Sequence, residues 1–513
     1  MNTYKKQQPD ISFLDTQASK THILTSAFFA ATYFVILAFF FPAGNHVLFW
    51  LLIAGEVFHL WQLFTFLYTV WDMKTLKPAN TAYRPPVDVF ITVAGEPGDV
   101  IEETVIAAKN MDYPAFSVHI LNDGLVARKD NWQEAEEIAH KHGVNVITRT
   151  VPGGAKAGNI NNALRKTDNP FVVIFDADHV PHEDFLSKVM PYFSDAKVGF
   201  VQTPQYYKNH ALNAVTSGAW EQQELFFGPI CKGKNKHNAA TMCGTNMAIR
   251  KDALMSVGGM CEESIAEDFI TGLFLHQKGY KSVYVPEVLA EGLAPEDFLS
   301  YSKQQFRWAR GALDMIFRYN PLFARGLTFA QRMQYLSSAS FYLSGPVVLM
   351  NALIPLIFFF TGLVPIVTST MLLAAIFLPY ILITLYTLQR SSNFTYTFRS
   401  LAFSMSGFMI HIKALWSVLT GAKPTFEITS KKKIEGSFLK LVRPHIAYVA
   451  LVVIGFVVAL LREGVNASIM ANGAWAVLNA IIFFEYIKAA SPEVKTNELV
   501  RPVRKIKIAK PAI

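Results

Sequence analysis

Long apolar stretches near both ends of the chain flank a central region in which charged and apolar residues alternate over short distances. Residues 23–42 contain no charged residue, and residues 47–70 hold one acidic residue, Glu56, and one histidine, His59. A helix needs about 20 apolar residues to cross the roughly 30 Å hydrocarbon core of a bilayer. Because the two stretches follow each other directly, they favour a hairpin of spanning helices over a cleaved signal peptide.

A second group of apolar stretches follows the central region. Residues 333–362 and 363–389 contain no charged residue, and residues 446–461 and 467–484 give two shorter candidates. The pattern therefore predicts six spans in all, two before the central region and four after it.

Residues 398–419 have a different pattern, in which apolar residues recur three and four positions apart and Arg399, His411 and Lys413 lie among them. This spacing predicts an amphipathic helix lying in the membrane interface. The alternative is a seventh span, which would bring two full charges into the hydrocarbon.

The central region, residues 83–321, alternates short β-rich runs with helical patterns, which is typical of an α/β domain with a mostly parallel sheet. About 240 residues suffice for such a domain to bury its own core. The five runs are VDVFITV (87–93), FSVHIL (116–121), VNVITR (144–149), FVVIF (171–175) and KVGFVQT (197–203).

Composition and charge agree with a membrane protein, because 51% of the 513 residues are hydrophobic and 17% are charged. The net charge of +8 suits an anionic surface, and in so apolar a chain we expect lipid and no nucleic acid. Basic residues flank the first hairpin, precede the last two spans and close the chain. By the positive-inside rule both termini and the central domain are cytoplasmic, in a multi-pass protein of the inner (plasma) membrane.

These patterns divide the chain into four parts. They are an N-terminal segment with two spans (1–82), a cytosolic α/β domain (83–321), spanning and interface helices with a loop near 424–433 (322–490), and a basic tail (491–513).

Acidic residues follow the predicted strands repeatedly: Glu96, Asp123, Asp176 and Asp178. In open α/β sheets ligands bind beyond the carboxyl ends of the strands. If the strand conformation continues, Asp176 and Asp178 face the same side and can share Mg²⁺ or Mn²⁺, which often bridges protein carboxylates to a diphosphate. The alternative is a pair of solvated turn residues.

Three further motifs carry candidate chemistry. GGAKAGNINNAL places Lys156 and three glycines before a helix, an arrangement suited to phosphate oxygens. Glu267 and Asp268 begin an apolar-periodic helix, where acids are commonly only partners of the helix dipole. SKQQFRWARG holds Gln304, Arg307 and Trp308, which can grip phosphate and stack on a sugar or, alternatively, form a membrane-surface belt.

Together these residues resemble the processive family 2 glycosyltransferases, above all the bacterial cellulose synthase catalytic subunits. The resemblance rests on Asp123, FDADH, AED and QQFRW in order and spacing, and extends to CGTN (243–246), EGLAPE (291–296) and FEITSK (426–431). It covers most of the chain. It implies a GT-A-type domain inserted in a polytopic helical membrane domain, and an enzyme that polymerises a β-glucan from a UDP-sugar, UDP-glucose above all, and exports it.

The resemblance also implies a role for each motif residue. Asp268 would be the general base, Asp178 the direct metal ligand and Asp176 its partner, with Mg²⁺ or Mn²⁺ as the cofactor. Trp308 and Glu267 would bind the acceptor end of the nascent polysaccharide. The nucleotide sugar would be held by Glu96, Asp123, Lys156, Asp176, Gln304 and Arg307, and by Phe426, Thr429 and Lys431 on a loop that closes over it.

The sequence departs from the family pattern at Ala94, where relatives carry an aromatic residue, and at Ile270, where they carry a histidine. These changes leave a hyaluronan, chitin or poly-N-acetylglucosamine synthase using another UDP-sugar as an alternative. The linkage of a glucan product also stays open. The sequence RPVRK (501–505) is not followed by a PilZ barrel, so activation by a cyclic dinucleotide would need a regulatory or envelope subunit. A transporter with a nucleotide-sensing domain is a more remote alternative.

Glu56 and His59 lie three residues apart, on one face of the second predicted span. Ionisable groups inside a membrane usually face a bundle interior or a water-filled cavity. We expect this face to line the polymer channel or to pack against its wall, and the alternative is a structural hydrogen-bonded pair.

Overall fold

A computed structural model describes residues 11–422 and 433–492 of the chain. Phe426, Thr429 and Lys431 of the predicted closing loop lie outside the described residues, as do the ten N-terminal residues and residues 493–513. The strands are β1 Val87–Val93, β2 Phe116–Asn122, β3 Asn145–Thr148, β4 Phe171–Asp176, β5 Val180–Pro181, β6 Val198–Gln202, β7 Tyr206–Tyr207, β8 Met247–Arg250, β9 Lys281–Tyr284 and β10 Ala290–Gly292.

The helices fall into membrane and globular sets that follow the predicted division of the chain. Those before and within the globular region are α1 Lys20–Phe39, α2 His46–Val70, α3 Gly98–Lys109, α4 Glu134–His142, α5 Ala155–Leu164, α6 Phe185–Val189, α7 Ala214–Leu225, α8 Cys231–Lys234, α9 Lys251–Ser256, α10 Glu267–Gln277 and α11 Phe298–Asp314. After it come α12 Phe329–Ser340, α13 Ser344–Thr361, α14 Thr370–Ser391, α15 Phe398–Ser406, α16 Phe408–Leu419, α17 Arg443–Glu463 and α18 Ala467–Ala490.

The globular region is built on a seven-stranded sheet with the order β3-β2-β1-β4-β8-β6-β9. The pairs β3–β2, β2–β1, β1–β4 and β6–β9 are parallel, whereas β8 runs antiparallel between β4 and β6. All five predicted strands are present, and the sheet is mostly parallel as expected. The carboxyl ends of β2, β1 and β4 therefore lie side by side along one edge.

Both faces of the sheet are buried, because alternate side chains of the central strands enter two separate apolar clusters. Phe90 and Ile174 belong to one cluster, and Ile91 and Phe175 belong to the other. The first cluster also contains Phe403, Tyr486 and other residues of the membrane helices α15 and α18. The globular core is thus continuous with the membrane-side helices.

A second, three-stranded sheet with the order β5-β10-β7 stands beyond the carboxyl end of β4. It joins residues that directly follow Asp178 to the EGLAPE motif, since Val180 pairs with Glu291, and Gly292 pairs with Tyr207. This small sheet forms one wall of the site described below.

Seven helical segments are long and apolar enough to cross a membrane, within the described part of the chain. Six of them correspond to the six predicted spans. The seventh, Phe398–Leu419, is the segment that the sequence predicts to be amphipathic. These segments are those of a membrane protein.

That seventh segment is divided at Gly407 into α15 and α16, of 9 and 12 residues, each shorter than the roughly 20 residues that a span needs. Both pieces pack on globular helices, α15 on α7 and α16 on α11, and also on the membrane helices α18 and α13. Arg399 forms an ion pair with Glu221 of α7 at 3.0 Å. The contacts favour the predicted interface position over a seventh span.

The segment before the first span is folded into the globular region. Phe13 is fully buried and lies edge-on against Trp220, with ring centroids 5.1 Å apart. The Lys232 ammonium donates to the Leu14 carbonyl oxygen at 3.3 Å, and the Asn393 amide donates to the Ser12 carbonyl oxygen at 3.0 Å. The N-terminal segment thereby bridges α8 and the loop after α14.

Glu56 lies between three membrane helices. The Tyr33 hydroxyl of α1 donates to its carboxylate at 3.4 Å, and His59 Nδ1 lies 3.6 Å from its other oxygen. Tyr33 in turn stacks on Tyr380 of α14, with ring centroids 4.9 Å apart. Because Glu56 is only 9% exposed, it is packed between α1, α2 and α14.

Candidate active site

The end of β4 is a turn rather than a continued strand. β4 stops at Asp176, whose carbonyl oxygen accepts from the His179 backbone N–H at 3.0 Å. Asp178 therefore lies outside the strand, and the alternation of strand side chains does not determine its position. Instead, the turn brings carboxylate oxygens of Asp176 and Asp178 and a ring nitrogen of His179 within 4.8 Å of one another.

Hydrogen bonds from three directions fix the two aspartates. The Thr92 hydroxyl at the end of β1 donates to Asp176 Oδ1 at 3.1 Å, and the Asp176 backbone N–H donates to the Thr245 hydroxyl at 2.9 Å. The Leu293 N–H donates to Asp178 Oδ2 at 3.2 Å. CGTN and EGLAPE thus act as supports of the acidic turn.

His179 completes this cluster. It is 5% exposed, and neither of its ring nitrogens finds a hydrogen-bond partner among the described residues, although Nδ1 lies 3.5 Å from Asp178 Oδ1. Its ring fits against Gly292, where a Cβ atom would stand 2.4 Å from Nε2. A buried imidazole without a hydrogen bond is costly unless it has another ligand. Two carboxylates and an imidazole are suitable donors for a divalent cation such as Mn²⁺ or Mg²⁺.

Lys156, on the first turn of α5, lies at the centre of the site. Its ammonium group forms an ion pair with Asp176 and donates to the Gly244 carbonyl oxygen at 2.9 Å. Although burial alone would lower the pKa of Lys156, the carboxylates of Asp176, Glu267 and Asp268 raise it. Burial alone would likewise raise the pKa of Asp176, but Lys156 and His179 lower it. Lys156 therefore stays cationic and Asp176 anionic at neutral pH.

The AED motif begins α10 directly opposite Lys156. Asp268 accepts from the Phe269 N–H at 2.7 Å, and a Cβ atom on Gly244 would stand 2.8 Å from Asp268 Oδ2. Desolvation raises the pKa of Asp268. Desolvation and the neighbouring Asp268 also raise the pKa of Glu267 to about 7, against the charge of Lys156. One of these two carboxyl groups consequently exchanges its proton near neutral pH.

Asp123 has a different environment. Both of its oxygens accept from Arg149, Oδ1 from Nε and Oδ2 from Nη2, each at 2.6 Å. Both residues are 7% exposed. Arg149 also donates to the Gly153 and Ala155 carbonyl oxygens. The ion pair thus ties the end of β2 to the glycine-rich turn, while burial raises the pKa of Asp123 against the opposing charge of Arg149.

The glycine-rich turn opens α5 as predicted, with Gly154 at φ 62°. The carboxylate of Glu262 stands beside it, because a Cβ atom on Gly154 would lie 2.5 Å from Glu262 Oε2. Asn161 of α5 donates to Glu262 at 2.7 Å. The N-terminus of α5, which the sequence predicts to bind phosphate, therefore lies beside the acidic side chain of Glu262.

Glu96, after β1, turns back on its own loop. Its Oε2 accepts from the Ala94 N–H at 2.6 Å, and its carbonyl oxygen accepts from Asn131 at 3.1 Å. The loops after β1 and β2 are thereby joined at the same edge of the sheet as Asp176.

Gln304, Arg307 and Trp308 occupy neighbouring turns of α11, a spacing that places them on one side of the helix. The hydroxyl of Tyr207, from β7, is hydrogen-bonded with Gln304 and lies in the field of Asp178 and Arg307. Burial raises the pKa of Tyr207 above its usual range. Gly311 lets α11 approach the AED turn closely, since a Cβ atom there would meet that of Ala266 at 2.4 Å.

Of the predicted residues, the structure brings Lys156, Asp176, Asp178, Glu267, Asp268, Gln304 and Arg307 to one site, with Asp123 and Glu96 at the neighbouring ends of β2 and β1 and Trp308 on α11. The sequence interpretation missed Arg149, His179 and Tyr207. His179 stands inside the motif FDADH, which was the available signal. No local feature of the sequence marks Arg149 or Tyr207 as a residue of the site.

Comparison with known proteins extends these observations. Residues 85–311 match the family model "Glycosyltransferase like family 2", and residues 250–490 match the family model "Cellulose synthase". The chain is 38% identical over 275 residues to a cellulose synthase catalytic subunit (UDP-forming) of Xanthomonas axonopodis pv. citri (strain 306), covering 52% of this chain and 37% of that protein. It is 31% identical over 462 residues to that of Pseudomonas fluorescens (strain SBW25), covering 86% and 62%.

The chain thus spans between about one third and three fifths of the length of these relatives. Among solved structures, a mannosyltransferase of Pyrobaculum calidifontis in complex with GDP-Man and Mn²⁺ resembles it with a TM-score of 0.50 and 18% identity, covering 72% of this chain and 99% of that one. At this identity the likeness concerns the fold alone, which is of the GT-A type.

Proposed function

Residues 85–490 belong to the cellulose synthase-like glycosyltransferases of family 2, and on that basis we propose that the protein polymerises a β-glucan from UDP-glucose and moves it across the membrane. One observation carries the proposal: Lys156 contacts Asp176 of the acidic turn and lies among the carboxylates of the AED motif. The group that would bind a diphosphate and the group that would take a proton are therefore next to each other.

Asp268 has the environment of a general base. A base must lie within hydrogen-bond reach of the acceptor hydroxyl, with a pKa raised toward the working pH. Burial supplies the raised pKa, and Gly244 leaves room beside Oδ2. Removal of the hydroxyl proton by Asp268 lets the oxygen attack the anomeric carbon from the face opposite the diphosphate, so that an α-linked donor gives a β-linked product.

Positive charge is arranged for the leaving diphosphate. Lys156 approaches from α5. Arg307 of α11 is close enough to interact electrostatically with Glu267 and with Tyr207. Asp178, His179 and Asp176 would hold Mg²⁺ or Mn²⁺, with Asp178 as the better direct ligand because Lys156 already neutralises Asp176. Bound there, the cation would stabilise the charge that develops on the departing diphosphate.

The remaining predicted roles follow the same division. Asp123 and Glu96 would contact the nucleotide from the ends of β2 and β1, and Trp308 would stack on the acceptor sugar. Phe426, Thr429 and Lys431 would close over the donor. The membrane helices would conduct the polymer, with the catalytic domain and both termini in the cytoplasm of the cell and the chain in its inner membrane.

UDP release tests the proposal, measured on detergent-purified protein with Mg²⁺ or Mn²⁺ and each UDP-sugar in turn. UDP-glucose should give UDP and a high-molecular-weight product, and digestion of that product with linkage-specific glucanases would assign its linkage. Turnover of UDP-N-acetylglucosamine instead would assign the protein to the chitin or poly-N-acetylglucosamine type. If no UDP-sugar is turned over even in native membranes, the synthase proposal fails.

A further inference from the structure

α11 carries a buried ion pair that the chemistry above does not use. Arg310 and Asp314, one helical turn apart, are 1% and 0% exposed, and an Arg310 Nη1 atom contacts Asp314 Oδ1. Buried charges of this kind persist only when paired, and each partner depends on the other. Arg310 lies three residues after Arg307 of the acceptor motif on the same helix, and its side chain is buried whereas that of Arg307 is only partly buried.

The guanidinium group of Arg310 reaches across to the end of the amphipathic helix α16. Its Nε donates to the Ser417 hydroxyl at 3.2 Å, and its Nη2 donates to the Ala422 carbonyl oxygen at 3.3 Å. The carbonyl groups in and just after the last turn of a helix attract positive charge. Arg310 therefore ties the last turn of α16, through Ser417, and the segment just after it, through Ala422, to α11.

Small side chains allow the two helices to approach closely at this point. Ala309 and Leu313 of α11 and Ala414 of α16 are fully buried in one shared apolar cluster. At the other end of α11, the Asp297 carboxylate caps its own helix and accepts from the Ile434 N–H at 3.2 Å. α11 is thus bonded to residues 422 and 434, both of which belong to the membrane-side part of the chain.

We propose that Arg310, held in place by Asp314, is a positioning residue that docks the end of α16 on α11 and so fixes the face bearing Gln304, Arg307 and Trp308. If this face shifts, the acceptor end of the polymer is held less well between successive additions. Loss of the contact between Arg310 and the end of α16 should therefore shorten the product more than it slows the transfer of each sugar. The inference rests on the proposed function, because it concerns the acceptor of that reaction.

The test uses the whole chain and three variants, one of which is a control. Arg310→Met/Asp314→Leu removes both buried charges at similar volume, a change that buried ion pairs often tolerate. Ser417→Ala removes one acceptor on α16 and leaves the pair intact. Arg318→Met is the matched control, because Arg318 lies 3.5 Å from the same Asp314 but is half exposed.

Two quantities are measured. Amide hydrogen exchange over residues 414–422 reports docking of α16 without any need for turnover, and the product length per UDP released reports the consequence. In the double variant we expect exchange to rise at least tenfold and the mean product length to fall at least fivefold, with UDP release within twofold of the parent. Ser417→Ala should change both in the same direction by about twofold, and Arg318→Met should change neither.

Unchanged exchange in the double variant, or unchanged product length despite faster exchange, would overturn the inference. If the double variant does not fold, Ser417→Ala decides by the same two readouts. If the parent protein turns over no UDP-sugar, the proposed function fails on its own, and hydrogen exchange still decides whether Arg310 docks α16.

Discussion

Asp123 and Asp268 are both acids beside the same site, yet their surroundings are opposite. Asp123 gives both oxygens to the guanidinium group of Arg149 at 2.6 Å, whereas Asp268 forms no ion pair among the described residues and accepts from the N–H of its neighbour Phe269. Although burial raises the pKa of Asp123, both of its oxygens are occupied by Arg149 and neither is free to take a proton from a substrate hydroxyl. An acid that is desolvated without such a partner can take that proton. The difference separates a fixed support from a group free to act as a base.

The largest effect expected from this comparison is on turnover. Asp268→Asn should lower kcat by about 10³-fold, because an amide of the same shape cannot take the proton from the hydroxyl group of the acceptor sugar. UDP affinity should remain within a few fold. Asp252→Asn, on the exposed start of α9, is the matched control and should leave kcat unchanged. Equal losses of UDP affinity and turnover in Asp268→Asn would mean that Asp268 binds the donor instead.

Asp123→Asn should act mainly on stability. It leaves Arg149 buried without its counter-charge, at an expected cost of about 3 kcal/mol in the free energy of unfolding, seen as a fall in Tm. Asp123→Leu/Arg149→Met should recover most of that stability, because it removes both charges together. If Asp123→Asn is as stable as the parent but binds UDP far more weakly, Asp123 acts on the nucleotide rather than as a support.

The pH dependence should follow the AED pair. Because Asp268 must be ionised to act and burial raises its pKa, kcat/KM should fall about tenfold per pH unit once the pH is below that raised pKa. The stability contribution has the opposite sign: protonated Glu267 is favoured in the folded state, so stability is lost as pH rises from about 4.5 through about 7. Lys156→Met should raise the apparent pKa further, since Lys156 opposes the shift. A flat rate profile between pH 5 and 8 would contradict this assignment.

The smallest effect concerns Glu56, a third buried acid, whose partner is the neutral hydroxyl of Tyr33. Glu56→Ala should reduce polymer output several-fold with normal folding, whereas Glu56→Gln, which keeps a hydrogen-bond acceptor, should retain most of it. Polymer mass and UDP release are measured together in membrane vesicles. Normal folding with normal output in Glu56→Ala would end the proposed role of this residue in the channel wall.

Local patterns were enough to predict the elements that carry the site. Alternating and continuous apolar runs predict β1, β2 and β4, and the glycine-rich turn predicts the start of α5. They were not enough for contacts between distant segments. Arg149 reads as the end of a strand, and its pairing with Asp123, 26 residues earlier, follows only once β3 lies beside β2.

Two further differences have similar causes. The turn at Asp176 replaces the expected strand alternation because its backbone bonds are completed by Thr245 and His179, which belong to the loop before β8 and to the turn itself. The break at Gly407 does not interrupt the apolar spacing of residues 398–419, so only the separate packing of α15 on α7 and of α16 on α11 reveals it.

The burial of Phe13 has a consequence for how the protein is made. Phe13 leaves the ribosome before any part of the domain that receives it. The residues that contact it and its neighbour Ser12, namely Trp220, Gly228 and Asn393, are spread over the next 380 positions of the chain. The N-terminal segment must therefore wait, on the same side of the bilayer as the globular domain, until most of the chain has been synthesised. A bulky fusion close to residue 11 should delay maturation, whereas the same fusion at the other end of the chain should not.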